Sequence, residues 1–332
     1  MSYAPATERT LYFIGTTTGQ SSIMKVFPRW AEALKLNAVI KGIDFIPDEG
    51  ALRYREAVRF IKRDPLSLGA LVTTHKVNLL KASRDLFDEL DPYAETLGEI
   101  SSISKRHGRL CGHAKDPITV GRALEAIVDE GYWRRTGGEL LNLGAGGSSM
   151  ALTLYLHTKA KAGRDVPARV VVTALDGNGL PDIREVHRRI GIALPIDYAV
   201  TPEPAAAGRL LTRLPRGSMV VNATGLGKDR PGSPLTDAAI FPRNGVAWEF
   251  NYRGNLVFLE QAKAAQAHQP LRVVDGWIYF IHGWTSVIAE VFDIDISAAS
   301  PSFELLSRIA LDAAQERYPG FGVGNVERGR LG

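Results

Sequence analysis

Residues 140–156 read LLNLGAGGSSMALTLYL: an apolar run, a loop containing Gly144, Gly146 and Gly147, then a stretch with the look of a helix. Glycine lets the backbone turn sharply and come close to a pyrophosphate, whose charge is met by free N–H groups at the helix start. A glycine string alone also fits a tight strand-to-helix turn with no ligand. With a strand before it and a helix after it, the string has the context of a dinucleotide-binding Rossmann unit. Gly144, Ala145, Gly146, Gly147 and Ser148 are therefore candidate cofactor-binding residues.

The next apolar run, ARVVVTALD (168–176), ends at Asp176, where a carboxylate can accept hydrogen bonds from adenosine ribose hydroxyls and repel a 2′-phosphate. Lys161 and Arg164 precede the run, Arg169 stands at its start, and the turn that follows, GNGLPD, holds no cation. This favours NAD over NADP and leaves NADP open, since Asp in a loop is also a common turn former. Further on, VVNATGLGKDRPGSPL (220–235) sets Asn222, Ala223 and Thr224 at the end of a strand, on the edge where cofactors lie in open α/β sheets.

The same alternation extends in both directions. Candidate strands fall at 10–14, 38–46, 69–73, 140–143, 169–174, 218–222, 246–250 and 271–274, with helical stretches between them, as in parallel α/β units. Met24, Phe27, Ala31 and Leu34 recur at three- and four-residue spacing behind the candidate caps Ser21 and Ser22. GRALEAIVDEGYWRRTGG (121–138) reads as one helix ending in a glycine pair and marks a boundary. The expected layout is a first α/β domain over 1–120, a Rossmann-type domain over 121–275, and helices over 276–332 that pack back on the first domain.

Composition agrees with this layout. A chain of 332 residues holds about two domains of ordinary size. Apolar residues make up 45% and charged residues 23%, the proportions of a globular protein rather than a disordered one. Forty basic against thirty-six acidic residues leave +4, spread along the chain, so no basic stripe points to nucleic acid. With Cys111 the only cysteine, an internal disulfide or a multi-cysteine metal site is excluded. Glu8 and Arg9 stand where a signal peptide needs apolar residues, and no run reaches the length of a membrane span. The expectation is a cytoplasmic protein with no membrane and no nucleic-acid partner.

Two groups in loops after apolar strands could carry chemistry: Lys76 in GALVTTHK (69–76) and Asp116 in RLCGHAKDPITVGRAL (109–124). An amine and a carboxylate that meet can hold a substrate hydroxyl and move its proton while hydride leaves the same carbon. Lys76 alone would read as a solvated loop lysine. His75, His113 and His282 sit near these motifs but lack metal-ligand spacing, so they read as satisfied or solvated imidazoles. Trp277, Tyr279, Phe280 and Trp284 have the helical spacing of core residues, with Tyr279 and Trp284 the two expected nearest a ligand.

The order of motifs resembles that of the shikimate/quinate dehydrogenase family. IGTTTGQSSIMKVF resembles its Gly-x-Pro-(x)n-His-Ser-x-Ser-Pro loop, VTTHK its Asn-Val-Thr-x-Pro-His-Lys turn, and GEISSI its Gly-Ala-Val-Asn-Thr. CGHAKD resembles Gly-x-Asn-Thr-Asp, LGAGGSS the Gly-Ala-Gly-Gly loop, VNATGLG the Asn-Ala-Thr corner, EFNYRG the Asp-x-x-Tyr-x-Pro turn, and DGWIYFIHGW the Gly-x-x-Met-Leu-x-x-Gln segment. The resemblance is collinear from about Thr10 to Ile288. It implies an N-terminal α/β substrate-binding domain completed by the C-terminal helices, a Rossmann-type NAD(P)-binding domain, and a cleft between them. Lys76 and Asp116 match the family's catalytic pair. Ser21, Ser22, Thr73, Ser101, Tyr279 and Gly283 match substrate-side positions, and Gly276 joins the cofactor-side set.

The departures bear on the substrate. The second serine of the opening loop falls on Ile23, with Ser22 adjacent; the lysine loop lacks its proline; the motif asparagines become Ser101 and Ala114. The family glutamine falls on Gly283, followed by Trp284, and the methionine on Tyr279. Because a hydrogen-bonding site rejects ligands that leave its polar groups unpaired, the pattern implies a dehydrogenase acting on a cyclic hydroxy acid or polyol other than shikimate. The alternative reading is a non-catalytic ligand or cofactor sensor on the same scaffold. A homodimer is expected from the family alone.

Overall fold

The computed structural model describes residues 3–47, 49–228, 230–296 and 300–317, the side chains of 315–317 excepted. The chain forms two compact units, one running to Asp116 and resuming at Gly283, the other Pro117–His282. The changeovers read from sequence were 120/121 and 275/276. The second changeover of the structure falls inside one helix, where no turn residue marks it.

The first unit is built on a six-stranded mixed sheet. β1 (Thr10–Gly15), buried along its whole length, lies parallel to and between β2 (Val39–Asp44) and β3 (Ser67–Val72). β5 (Ser102–Arg106) runs antiparallel to β3 and to β6 (Arg109–His113), and the short β4 (Glu89–Leu90) closes the edge parallel to β6. Strands buried on both faces read as unbroken apolar runs, which is why β1 and β3 were legible. The β5–β6 hairpin was not: SISKRHGRLCGH is polar nearly throughout. Its two-residue turn is His107–Gly108, with φ of 50° and 75°, the left-handed pair that matches strand twist in tight hairpins.

Helix α1 (Ile23–Ala33) turns Ile23, Val26, Phe27, Trp30 and Ala31 inward. α2 (Ala51–Arg63), α3 (Lys76–Ser83) and α4 (Pro92–Leu97) complete the cover, with Tyr54, Val58, Ile61, Leu79 and Leu80 packed into the same core as Ile14, Ala70 and Val72 of the sheet. The C-terminal helices return to this unit. α12 (Pro301–Arg317) lies on α1, where the buried Trp30 Nε1–H donates to Leu306 O at 2.8 Å. The end of α11 (Trp277–Phe292) is pinned to the hairpin through Glu290, which accepts from Lys115 Nζ at 2.6 Å and pairs with Arg106 at 2.9 Å.

The second unit is a wholly parallel sheet of β7 (Leu140–Leu143), β8 (Val170–Ala174), β9 (Ile196–Val200), β10 (Met219–Asn222), β11 (Gly245–Glu249) and β12 (Leu271–Val274). Its order is β12-β11-β10-β7-β8-β9, so the chain winds outward from β7 to β9 and then starts again on the other side, the doubly wound Rossmann order. α5 (Asp116–Ile127) and α6 (Tyr132–Thr136) precede the sheet. The stretch read as one helix over 121–138 is thus two, parted before Gly131 at φ 90°. α7 (Gly147–Lys161), α8 (Leu180–Ile190), α9 (Pro204–Leu211) and α10 (Val257–Gln266) link the strands. β9 was missed because an edge strand that is half exposed, IDYAV, carries little apolar signal. No helix of the described residues is long and apolar enough to cross a membrane.

Candidate active site

In the first unit the carboxyl ends of β1, β3 and β6 share an edge with the start of β5, since Leu71 pairs with Ser102 and Ser102 with His113. The strand ends deliver the loops that sequence singled out. After β3, the Thr73 N–H donates to Ile14 O at 3.0 Å and its hydroxyl to the same oxygen at 3.2 Å, fixing the turn that opens α3 at Lys76. After β6, Ser101 Oγ accepts the Lys115 N–H at 2.7 Å and so sets the turn that opens α5 at Asp116. Ser101 is buried and committed to this structural bond.

Lys76 and Asp116, forty positions apart, meet at this edge: Lys76 Nζ donates to Asp116 Oδ2. Their side chains are 22% and 21% exposed, shielded but open to a small molecule. A third ionisable group stands with them. Glu99 is buried, its Oε1 has no hydrogen-bond partner among the described residues, and the N–H of the next residue, Ile100, donates to Lys76 O at 3.4 Å. Burial works to lower the Lys76 pKa, and the carboxylates of Asp116 and Glu99 more than reverse it, so the ammonium is held above its ordinary range. Burial raises the Glu99 pKa, Lys76 opposes that, and Asp116 adds to it. Sequence reading passed over Glu99, although it stands at the alanine of the Gly-Ala-Val-Asn-Thr pattern.

The other residues named for this edge take the following places, and two of them, Ile23 and Trp284, lie in the core rather than beside a ligand. Ser21 is half-buried and Ser22 buried at the start of α1. Ile23, expected to shape a substrate pocket, is fully buried in the core. Trp284, expected near a ligand, is a core residue too, 7% exposed and edge-on to Phe13 at 5.3 Å. His75 is locked by Tyr54 Oη at 2.8 Å and the Phe45 ring, and His113 by Ser104 Oγ at 3.0 Å. His282, in the second unit, is kept neutral because burial, aided by Arg122, pushes its pKa down to about 3. Among the described residues no cluster of His, Cys, Asp and Glu could hold a metal ion.

In the second unit, β7 and β10 are neighbours whose connections run to opposite sides, which opens a crevice at their carboxyl ends. The Gly144 N–H donates to Thr173 O at 3.0 Å, and the Ala223 N–H to Leu143 O at 2.8 Å. A Cβ on Gly144 would lie 2.6 Å from Ala223 O. Two residues that sequence reading missed hold the loop from below. Asn142 Nδ2 donates to Gly144 O and to Ser149 Oγ, both at 2.7 Å, and Ser149 Oγ donates to Gly144 O at 2.8 Å. The polar Asn142 inside the apolar run LLNL was the available signal.

This cradle fits a dinucleotide. α7 starts at the Gly146 cap with no side chain capping it, so the first-turn N–H groups of Gly147 and Ser148 lack intrahelical acceptors. Gly146 and Gly147 are exposed, Ala145 is buried beneath them, and a Cβ on Gly146 would meet no atom within 4 Å. Asp176 is exposed and accepts from the Asn178 N–H at 3.1 Å and Nδ2 at 2.6 Å, bonds that lower its pKa. Arg230 lowers it further and donates to Thr224 O at 3.1 Å. A cation therefore does stand near Asp176, outside the turn in which sequence reading sought one.

Behind the Asn-Ala-Thr corner lies a buried polar network. Asn222 Nδ2 donates to Glu249 Oε2 at 2.6 Å, while Asn222 Oδ1 accepts from the Thr224 hydroxyl at 2.7 Å. Glu249 Oε1 accepts from the Asn251 N–H at 2.8 Å and its Nδ2 at 2.6 Å. Asn222 is thus engaged in shaping the corner. Gly276 lies against the Phe250 and Asn251 carbonyls, leaving no space for a Cβ. Tyr279 is half-buried against Phe250 at 4.8 Å, and Gly283 is half-buried where the chain rejoins the first unit.

Burial pushes Glu249 up to about 7 despite the bonds it accepts. A carboxyl whose folded pKa is raised contributes stability that is fully present below its ordinary value and lost as pH rises through the folded one. From pH 5 to pH 8 the unfolding midpoint in urea should fall, with a loss on the order of 3 kcal/mol. Glu249→Gln should flatten that slope. Equal slopes for the two proteins would remove Glu249 as its origin.

No family model matches the sequence. A shikimate dehydrogenase (NADP(+)) of Bacillus cereus strain 03BB102 is 34% identical over 116 residues, which cover 35% of this chain and 39% of that protein. The match therefore spans about two-fifths of the relative. Solved structures extend the likeness to the whole fold. A quinate dehydrogenase from Corynebacterium glutamicum in complex with NAD has a TM-score of 0.69 at 18% identity over 92% of this chain and 99% of that one. A shikimate 5-dehydrogenase from Listeria monocytogenes in complex with shikimate and NAD has a TM-score of 0.70 at 15% identity over 93% and 99%. A 5-ketofructose reductase of Gluconobacter sp. strain CHM43 has a TM-score of 0.65 at 15% identity over 92% and 98%. Over about a third of its length the chain is similar in sequence to shikimate dehydrogenases, and over nine-tenths of it the fold is that of these solved structures.

Proposed function

We propose that the chain is an NAD(P)-dependent oxidoreductase that interconverts a secondary alcohol and a ketone on a cyclic polyol or hydroxy acid, shikimate not being its substrate. The observation that carries this reading is the Lys76–Asp116 ion pair, assembled at one sheet edge from two distant loops. NAD(P), when bound, supplies the hydride acceptor or donor. The N–H groups of Gly147 and Ser148 would hold its phosphates, and the Asp176 carboxylate would bond its ribose hydroxyls. Lys76, protonated at neutral pH, gives its proton to the substrate oxygen as a ketone becomes an alcohol and takes it back in the reverse direction. Asp116 keeps the ammonium in place.

Three losses support a substrate other than shikimate. Ser101, in the place of a motif asparagine, is spent on Lys115; Gly283 has no side chain in the place of the glutamine; Ile23 is buried in the place of a serine. The fold is also that of a protein named as a 5-ketofructose reductase. The test is a panel of cyclic polyols and acids with both dinucleotides, followed by nicotinamide absorbance. Turnover of a member other than shikimate is expected. Binding of ligand and dinucleotide with no turnover by any member would overturn the reading in favour of a sensor.

NAD is the proposed dinucleotide. NADH is expected to bind more tightly than NADPH, and Asp176→Ala to weaken NADH by about tenfold, the loss of a charge-assisted hydrogen bond. Tighter binding of NADPH by the unaltered protein would assign the adenosine end to Arg230 instead.

A further inference from the structure

CGHAKD sets an ammonium directly before the carboxylate that pairs with Lys76, where the motif it resembles has threonine. Consecutive Cα atoms lie about 3.8 Å apart, so the four-carbon stem of Lys115 is long enough to carry its Nζ onto Asp116. The structure turns it elsewhere. Among the described residues Asp116 pairs with Lys76 alone, and Lys115 pairs with Glu290 alone. Lys115 Nζ donates to Glu290 Oε2 at 2.6 Å, and the two side chains are 12% and 15% exposed. The other cations at Glu290 do not depend on it. Arg106 has a second carboxylate, Asp293, at 2.9 Å. His113, 3.3 Å from Glu290 Oε1, has its pKa pushed down by burial and then by Lys115. Asp91 spends Oδ1 on the N–H groups of Ala94 and Ala114, and its Oδ2 faces His113 at 3.7 Å.

We infer that Glu290 is a positioning residue for the Lys76–Asp116 pair, holding the Lys115 ammonium so that the Asp116 carboxylate is left to Lys76. The catalytic meaning of this inference rests on the proposed dehydrogenase reading, which it deepens. Without the charge of Glu290, Lys115 is an unpaired ammonium in a poorly hydrated place, a state costly enough to drive it to the carboxylate one residue away. Lys76 then shares its counter-ion and gains a like charge beside it. Both changes favour its free amine and loosen its hold on Asp116.

The test compares the unaltered protein, Glu290→Gln and the double variant Glu290→Gln/Lys115→Met. The first readout needs no substrate: acetylation of Lys76 by acetic anhydride at about pH 9, where most lysines are still protonated, relative to the exposed Lys25. Glu290→Gln should raise that ratio by about tenfold, the effect of a pKa lower by about one pH unit. Removing the competing ammonium as well should return the ratio to within about twofold of the unaltered protein, a rescue that a merely structural role of Glu290 does not give. The second readout is turnover of the panel member used best. Its kcat should fall by about tenfold in Glu290→Gln and recover in the double variant. An unchanged labelling ratio in Glu290→Gln, or a double variant as perturbed as the single one, overturns the inference. Lys76→Ala separates the two claims. If it stays active the dehydrogenase reading fails, whereas an inactive Lys76→Ala with an unmoved labelling ratio in Glu290→Gln removes only the role of Glu290.

Discussion

Lys76→Ala should cost at least about a thousandfold in kcat, within the range of general acid–base catalysis, while dinucleotide affinity stays within about twofold. The ammonium is the proton donor for a developing alkoxide, and alanine leaves neither donor nor charge there. Lys76→Met, which keeps the bulk of the side chain, should lose as much, and that rules out collapse of the turn as the cause. The pH dependence gives a second, independent readout. Because Asp116 and Glu99 outweigh burial and hold the Lys76 pKa above its ordinary range, ketone reduction should be flat through neutrality and decline only at high pH. Alcohol oxidation needs the free amine and should climb across the same interval. Asp116→Asn removes one of the two carboxylates, so burial gains weight and the rising limb of oxidation should move to lower pH, at a reduced maximum. Steady-state rates in both directions between pH 6 and 10 measure this: reduction should stay level over the whole range, because the lysine titrates above it, while oxidation rises throughout. A Lys76→Ala variant within tenfold of the unaltered protein would take the lysine out of the reaction.

Why the pair could be read at all, and Glu99 could not, is a matter of where the signals lie. Lys76 follows β3, an apolar run, and a charged residue at the carboxyl end of a buried strand stands out in a single sequence; Asp116 follows the largely polar β6 and stood out through CGHAKD, which resembles a known motif. Glu99 precedes a polar strand, β5, inside a hairpin whose turn is His107–Gly108 rather than a common Asn-Gly or Asp-Gly, so nothing around it announced an edge. The Rossmann unit was legible because β7, β8, β10, β11 and β12 are buried runs whose loops carry glycine. Burial itself was the weak point. Ile23 and Trp284 were placed beside a substrate from their motif positions, and only packing against a filled core shows that neither can reach one. The same holds for Asn142 and Ser149, whose value lies in hydrogen bonds to each other and to Gly144 O, a relation that spacing does not reveal.

The phosphate loop yields a second large effect, because two glycines a single residue apart should fail in different ways. Gly144 sits at φ 121°, and a Cβ there would lie 2.6 Å from Ala223 O, 2.8 Å from Ala223 C and 3.1 Å from Thr224 N. All three are backbone atoms, so no rotamer change relieves the contact. Gly144→Ala should therefore lose about 2–5 kcal/mol of stability through backbone strain and overpacking, and with it the packing of the Asn222–Thr224 corner against the loop. Gly146 has ordinary negative φ as the cap of α7, and its Cβ would meet nothing within 4 Å. Gly146→Ala should fold with a melting temperature close to the unaltered protein. If the open space beside the helix start is where the pyrophosphate approaches, the added methyl intrudes there and should weaken NAD(P)H binding by tenfold or more. Thermal melts and dinucleotide titrations of the two variants separate these effects. Full stability of Gly144→Ala would mean that β7 and β10 do not approach as closely as described, and undiminished dinucleotide binding by Gly146→Ala would move the phosphate away from the α7 terminus.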